Sequence, residues 1–368
     1  MKDLAFGIDF GTTNSLLSVW GTSVQEGRKL PEAVVQADGR PHPSVVWYRL
    51  EGSPVVGSEA RTKMAEEEAL VGNAFFRSIK RRLGQNRQVD IPGLGPIDAW
   101  RVASEIFRHL KDHAEDEPVL ERLKASVTEA VVSIPVHFDG RARRDLRLAM
   151  REAGITLTTF VHEPFAALLS HFYDPVSKLN ALRGKKVLVF DWGGGTLDIC
   201  LAAISDDGRQ VIELGRSWIN DLAGDDFDQR LMSDIKNRFI SRERIDPDRF
   251  SLEKAVEGRF WTRCENAKIE LSSEDSAYLL VPSFWSIAGN PIDLEEEITR
   301  RHFEELIEHS LDRAMEAVNR CLKEAGIDQP TLIDEVVMVG GTSNVPAIRR
   351  RMVETFASRV SVVEQPEA

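Results

Sequence analysis

Cysteine is scarce in this chain: Cys200, Cys264 and Cys321 lie far apart among 368 residues and show no paired spacing. So sparse and odd a set argues against a disulfide framework or a zinc site, and it fits a reducing compartment. Long apolar runs are also missing. The opening segment MKDLAFGIDFGTTNS is cut by Asp9 before its apolar run reaches signal-peptide length, and no later stretch approaches a membrane span. A soluble, cytoplasmic protein is expected. Positive charge is in deficit, with a formal net charge of −12. Such a surface repels phosphate backbones and anionic headgroups, so no nucleic acid and no membrane is expected as a partner. What remains is an ordinary globular composition, 42% hydrophobic and 29% charged, on a chain long enough for two or three domains.

Leu4 to Ile8 reads as a strand, broken by Gly11-Thr12-Thr13 and resumed over Ser15 to Trp20, which predicts a hairpin. Residues 58–84 read as polar and helical up to Gly84, and 85–97, rich in Pro and Gly, as a loop. A helix from about Trp100 to Ala114, a buried strand over Glu129–Ile134 stopped by Pro135, and a basic helix over roughly 139–153 closed by Gly154 follow. Then the opening pattern returns: GIDFGTT (7–13) and VFDWGGGT (189–196) share an apolar strand ending in Asp, a glycine turn with Thr, and a returning strand. This weak repetition predicts two lobes, 1–183 and 184–360, each offering one phosphate-facing hairpin to a shared cleft. A long helix carries Ile298, Phe303, Ile307, Leu311 and Val318 on one face and closes at Gly326. The last clear strand is Glu335–Val339; nothing after it is expected to complete the layer, and 361–368 read as the start of a segment returning to the first lobe.

Asp9 and Asp191 carry the first chemical signal. A carboxylate ending a buried strand needs a cation or donors, because an unpaired buried charge is costly. The glycines after each let backbone N–H groups approach an anion, and the Thr hydroxyls add donors. Carboxylate plus amide nest is what a magnesium–phosphate site requires; a plain hairpin turn with a surface Asp is the alternative, weakened by the motif occurring twice. VVMVGGTSNVP (336–346) admits two readings, glycines accepting a flat nucleoside or a simple strand-to-helix turn at Pro346. Glu265, Lys268 and Ser272 share a helix face and could reach one ligand, although a Glu–Lys pair on a solvated helix is commonplace.

In this order the segments resemble the nucleotide-binding domain of the 70-kDa heat-shock (DnaK-type) chaperones, within the actin-like ATPase superfamily. GIDFGTTNS and VFDWGGGTLDI are similar to that family's two phosphate motifs, VHEPFAALL (161–169) to its connecting motif, and VGGTSNVP to its adenosine motif. FFRSIKRRLG, SIPVHFDGRAR, GDDFDQRL and ENAKIELSS match as well. The resemblance implies an α/β, two-lobed actin-like fold, each lobe with a ribonuclease-H-like core and an outer subdomain. It implies slow, magnesium-dependent hydrolysis of ATP to ADP that drives lobe opening and closure, with potassium as a candidate second ion. Asp9 and Asp191 would hold the hydrated metal. Gly11, Thr12, Thr13, Asn14, Gly193, Gly194 and Gly195 would cradle phosphates, with Thr196 beside the γ-phosphate. Lys80 would contact the γ-phosphate and Glu163 would orient the attacking water. Gly224, Glu265, Lys268, Ser272, Gly340, Gly341 and position 344 would enclose the nucleoside. Pro135 and Arg143 would relay nucleotide state; read alone, Lys80 is a solvated lysine and Pro135 a strand stop.

Departures matter. Asn344 stands where an adenine-stacking Arg is usual, Ala223-Gly224 where two glycines are usual, and His137 where an aromatic is usual. Thr159 and His162 replace the Arg and Asn that bacterial members present to J-domain co-chaperones, which weighs against ordinary stimulation; a nucleotide exchange factor is the other implied partner. Residues 85–97 are shorter than the family's equivalent, and client peptides would bind only if a further domain follows Ala368. Two other readings stay open: a small-molecule kinase of the same fold, with Glu163 as base, and a non-catalytic or filament-forming module.

Overall fold

The computed structural model describes residues 4–25, 28–49, 51–64, 74–91, 93–116, 125–172, 183–207, 210–287 and 289–362. These divide into two compact units, one holding the described residues of 1–63 and 72–171, the other those of 172–363 together with Met64.

Alternation builds the first unit. In β1 (Ala5–Phe10) Phe6, Ile8 and Phe10 are buried while Ala5 and Asp9 are exposed, the period-two mark of a strand with one face on a core. β1 pairs antiparallel with β2 (Asn14–Gln25), which carries β3 (Arg28–Val34) and β4 (His42–Pro43). Apart from this sheet, β5 (Val46–Tyr48) pairs with β6 (Val55–Val56) and, beyond α1 (Ser58–Met64), with β7 (Ala74–Phe76). A hairpin of β8 (Gln88–Ile91) and β9 (Gly95–Asp98) follows. α2 (Ala99–Asp116) buries Val102, Ile106, Phe107 and Leu110 in the core of β1. β10 (Glu129–Ile134), α3 (Gly140–Glu152) and β11 (Thr156–His162) add two parallel strands, and α4 (Glu163–Phe172) leads out. Asp139 caps α3 by accepting the Arg141 and Ala142 N–H groups, both at 2.9 Å.

The second unit repeats the plan. β12 (Lys186–Trp192), β13 (Leu197–Ile204) and β14 (Val211–Ile219) form an antiparallel meander. α5 (Gly224–Arg242), α6 (Lys254–Glu270) and a hairpin of β15 (Ser276–Ile287) and β16 (Asn290–Thr299) are inserted before α7 (Arg300–Glu324). β17 (Glu335–Val339), α8 (Pro346–Phe356) and β18 (Val360–Val362) close the sheet with two parallel strands. Its order, β14-β13-β12-β17-β18, matches β3-β2-β1-β10-β11 strand for strand, antiparallel then parallel. The weak repeat seen in two short motifs is therefore a repeat of whole topology, and the α/β actin-like expectation holds.

Three expectations fail. Of the helix read over 58–84, Ser58–Met64 is α-helical and 65–73 lie outside the described residues; Ala74–Phe76 is a strand and Ile79–Arg82 a short 3-10 turn entered through Ser78 at φ 53°. The loop expected over 85–97 contains β8 and most of β9, because Val89 and Ile91 of β8 alternate into the core ahead of a turn with positive φ at Gly93 and Gly95. Glu335–Val339 is not the last strand: β18 pairs parallel with β17 and extends the sheet. The boundary expected near Asn180–Lys185 and the segment 363–368 lie largely or wholly outside the described residues.

Candidate functional site

In the first unit the turn after β1 is tightly built. A Cβ on Gly11 would overlap the Asn14 carbonyl oxygen, so only glycine closes the turn this way. Ser44 braces it: its N–H donates to Thr13 O at 2.8 Å, and its hydroxyl donates to Gly11 O at 2.9 Å. Thr12 is buried, while Thr13 and Asn14 are half-buried. Asp9 lies beside Ser133 of β10 in register and accepts its hydroxyl at 2.6 Å. Asp9 is exposed and Asp191 half-buried, so the burial-cost argument for them is corrected. In β1 alternation turns Asp9 away from the core, whereas Asp191 follows four consecutive buried residues of β12 near its end.

The solvated reading of Lys80 fails too. Lys80 is 6% exposed, and its ammonium donates to Glu163 at 2.5 Å, a partner 83 residues away at the start of α4. Arg143 donates from Nε to Phe138 O at 2.8 Å and lies 3.3 Å from His162 Nε2, next to Glu163. Phe138 in turn donates its N–H to Pro135 O at 3.2 Å, so Pro135 and Arg143 meet at one residue. Thr159 is exposed.

In the second unit four distant segments converge on Gly224. Its N–H donates to Gly193 O at 3.1 Å, the next N–H, of Asp225, to Gly194 O at 2.8 Å, and Thr342 Oγ1 to Gly193 O at 2.8 Å. Lys268 Nζ donates to Gly224 O at 3.0 Å and to Asp228 Oδ2 at 2.8 Å. A Cβ on Gly224 would stand 2.7 Å from Thr342 Oγ1 and 3.3 Å from both Gly194 Cα and Lys268 Nζ, which explains the glycine. Gly340, at φ 84°, brings its backbone so close that a Cβ would lie 2.5 Å from Trp192 O and 2.8 Å from Asp191 Oδ1. Gly195 is buried, Thr196 half-buried and Gly341 exposed. The shared-face reading of 265, 268 and 272 needs correction, because α6 ends at Glu270 and Ser272 lies past it, its hydroxyl 3.5 Å from Lys268 O. Glu265 is half-buried, and exposed Asn344 accepts a hydrogen bond from Arg349.

A family model described as Hsp70 protein matches residues 88–367. The chain belongs to the Hsp70 family. Hsp70 proteins bind ATP or ADP with magnesium, and the donors of each unit fit that group: a carboxylate not buried in the core, Asp9 in the first and Asp191 in the second, beside a glycine turn. Among the described residues no helix is long and apolar enough to cross a membrane.

Sequence reasoning missed Ser44, Ser133, Asp228 and Asp198. Asp198 is 1% exposed and pairs in register with Asp191 across the second hairpin. A signal for Asp198 existed, since a charged residue in the buried strand LDICLAAI breaks its pattern. Ser44 and Asp228 announce themselves only through contacts with residues far away in sequence.

Proposed function

We propose that this Hsp70-family chain is a chaperone nucleotide-binding module that binds ATP and ADP with magnesium and hydrolyses ATP slowly, the chemistry timing a conformational change. One observation carries the catalytic half of the reading: the buried Lys80–Glu163 pair, in the same unit as the Asp9 turn. A lysine removed from water this far needs a partner, and the carboxylate it finds is placed by an element start rather than by chance on a surface.

In each unit an aspartate, Asp9 in the first and Asp191 in the second, would hold a hydrated cation; magnesium there would neutralise phosphate charge, and potassium is a second candidate ion. The N–H groups of the two glycine turns and the hydroxyls of Thr12, Thr13 and Thr196 hold the phosphate oxygens. Glu163, held by Lys80, accepts a hydrogen bond from the attacking water and orients it. Lys80 donates to the γ-phosphoryl oxygens as their charge redistributes. Phosphoryl transfer asks mainly for positioning and charge stabilisation, which this set supplies without a covalent intermediate. Glu265, Lys268, Ser272, Gly340 and Gly341 enclose the nucleoside. Pro135 and Arg143 pass the state of Glu163 outward through Phe138 and His162; with His162 so engaged, stimulation by a J-domain partner is weak.

Lys80→Ala tests the reading. Single-turnover hydrolysis should fall by about 10²-fold or more while ADP affinity stays within a few-fold, since a contact that strengthens only in the transition state is lost. A parallel fall of binding and turnover contradicts the catalytic role.

A further inference from the structure

Asp228 has no part in the chemistry above, yet it is 1% exposed in the middle of the second unit's site. Its Oδ2 accepts the Lys268 ammonium at 2.8 Å, while its Oδ1 is buried without a hydrogen-bond partner. Half of a buried carboxylate left unbonded is a standing cost. Lys268 is the outer member of the pair, 13% exposed, and its second bond goes to Gly224 O, where the glycine-turn segments cross. A ligand entering this site therefore meets the ammonium first and the carboxylate behind it.

We propose that Asp228 is an exchangeable counter-ion: it holds Lys268 in the free protein and takes up one proton from solvent when an anionic nucleotide draws that ammonium to itself. The inference rests on the nucleotide reading above. No covalent bond changes beyond the O–H formed on Asp228. The groups facing Asp228 are few. Lys268 favours its anion; Glu265 on α6 and Asp225 on α5 oppose it, and the Cys264 thiol, pushed well up by burial, stays neutral beside it. Burial is the largest influence, and together they lift Asp228 to about 7. Withdrawing Lys268 and adding ligand charge both act in the same upward direction, so the sign does not depend on which is larger. By linkage, nucleotide binding takes up protons and weakens as pH rises through neutrality.

The test is calorimetric titration of the 368-residue chain with MgADP at pH 7 in buffers of different ionisation enthalpy, repeated from pH 6 to 8. Wild type should take up on the order of half a proton more than Asp228→Asn, and its affinity should fall about three- to tenfold more across that range. The ligand's own titration is common to both and cancels in the difference. Lys268→Met gives a second route should Asp228→Asn fail to fold: Asp228 without its cation is already protonated, so the uptake should vanish again. MgADP binding with equal uptake in wild type and either variant overturns this inference alone. Absence of MgADP binding to wild type overturns the nucleotide reading and this inference with it.

Discussion

Among the described residues each unit buries a lysine against a carboxylate, and the two pairs are exposed in opposite order. In the first unit Lys80 is 6% exposed and Glu163 14%; in the second Lys268 is 13% exposed and Asp228 1%. The member nearer solvent is the one a ligand or water meets first. The first unit therefore offers a carboxylate, suited to orienting water, and the second an ammonium, suited to holding an anion. The turns differ in the same spirit. Side-chain hydroxyls of Ser44 and Ser133 fix the first, whereas the second is fixed by the Gly224 and Asp225 N–H groups and by Thr342. One topology, repeated, thus carries two different chemistries because its insertions differ.

The largest expected effect separates glycines that look alike in sequence. Gly340→Ala places a Cβ against Trp192 O at a φ of 84°, so it should cost about 3 kcal/mol or more and abolish nucleotide binding. Gly341→Ala meets nothing within 4 Å and should leave the denaturation midpoint nearly unchanged. Equal midpoints for the two variants, measured by chemical denaturation, would break the account of the second turn.

The next effect belongs to the first unit only. His42, His109 and His113 pack together, with His42 Nδ1 3.0 Å from His109 Nε2. Burial, then the neighbouring imidazoles, push His42 down to about 4, and burial, then His113, do the same to His109. The unfolded chain, titrating near 6.5, binds more protons than the folded one between pH 6.5 and 4. The stability these groups support is therefore present above pH 6.5 and lost as pH falls toward 4. Hydrogen exchange at pH 7 and pH 5 should show protection falling in α2 and β1 more than in β12, and His42→Gln should reduce that contrast. Uniform loss across both units counts against it.

The smallest effect concerns Asn344. Arg349 hydrogen-bonds to it, so a new arginine at 344 would meet a like charge. Asn344→Arg should tighten ADP binding by less than ~1 kcal/mol, and by more when combined with Arg349→Ala. Calorimetry on the single and double variants checks this; weaker binding in both would mean that residue 344 does not face the base.

Much of the fold was legible. The β10 boundaries, the β12–β13 hairpin and most of α7 follow from local pattern, because long periodic segments state their own face, although Ile298, read as part of that helix, lies in β16. Ala74–Phe76 and Val360–Val362 were not legible, since three residues carry no period and owe their strand character to β5 and β17. Among site residues, the glycine turns could be read because backbone demands fall on adjacent positions. Lys80 could not: the run Lys80-Arg81-Arg82 looks solvated, and only Glu163, far along the chain, makes its burial tolerable. Asp228 was hidden likewise, its partner lying 40 residues away.

Asp9 and Asp191 stand at equivalent points of the two repeats, and the proposed function gives each a part in magnesium-nucleotide chemistry. The direct measurement is ATP hydrolysis as a function of magnesium concentration for wild type, Asp9→Asn and Asp191→Asn, with ADP identified as product. Each substitution should weaken the magnesium dependence and slow turnover by at least about tenfold. Unchanged hydrolysis and unchanged magnesium dependence in both variants would contradict the assignment of the two turns.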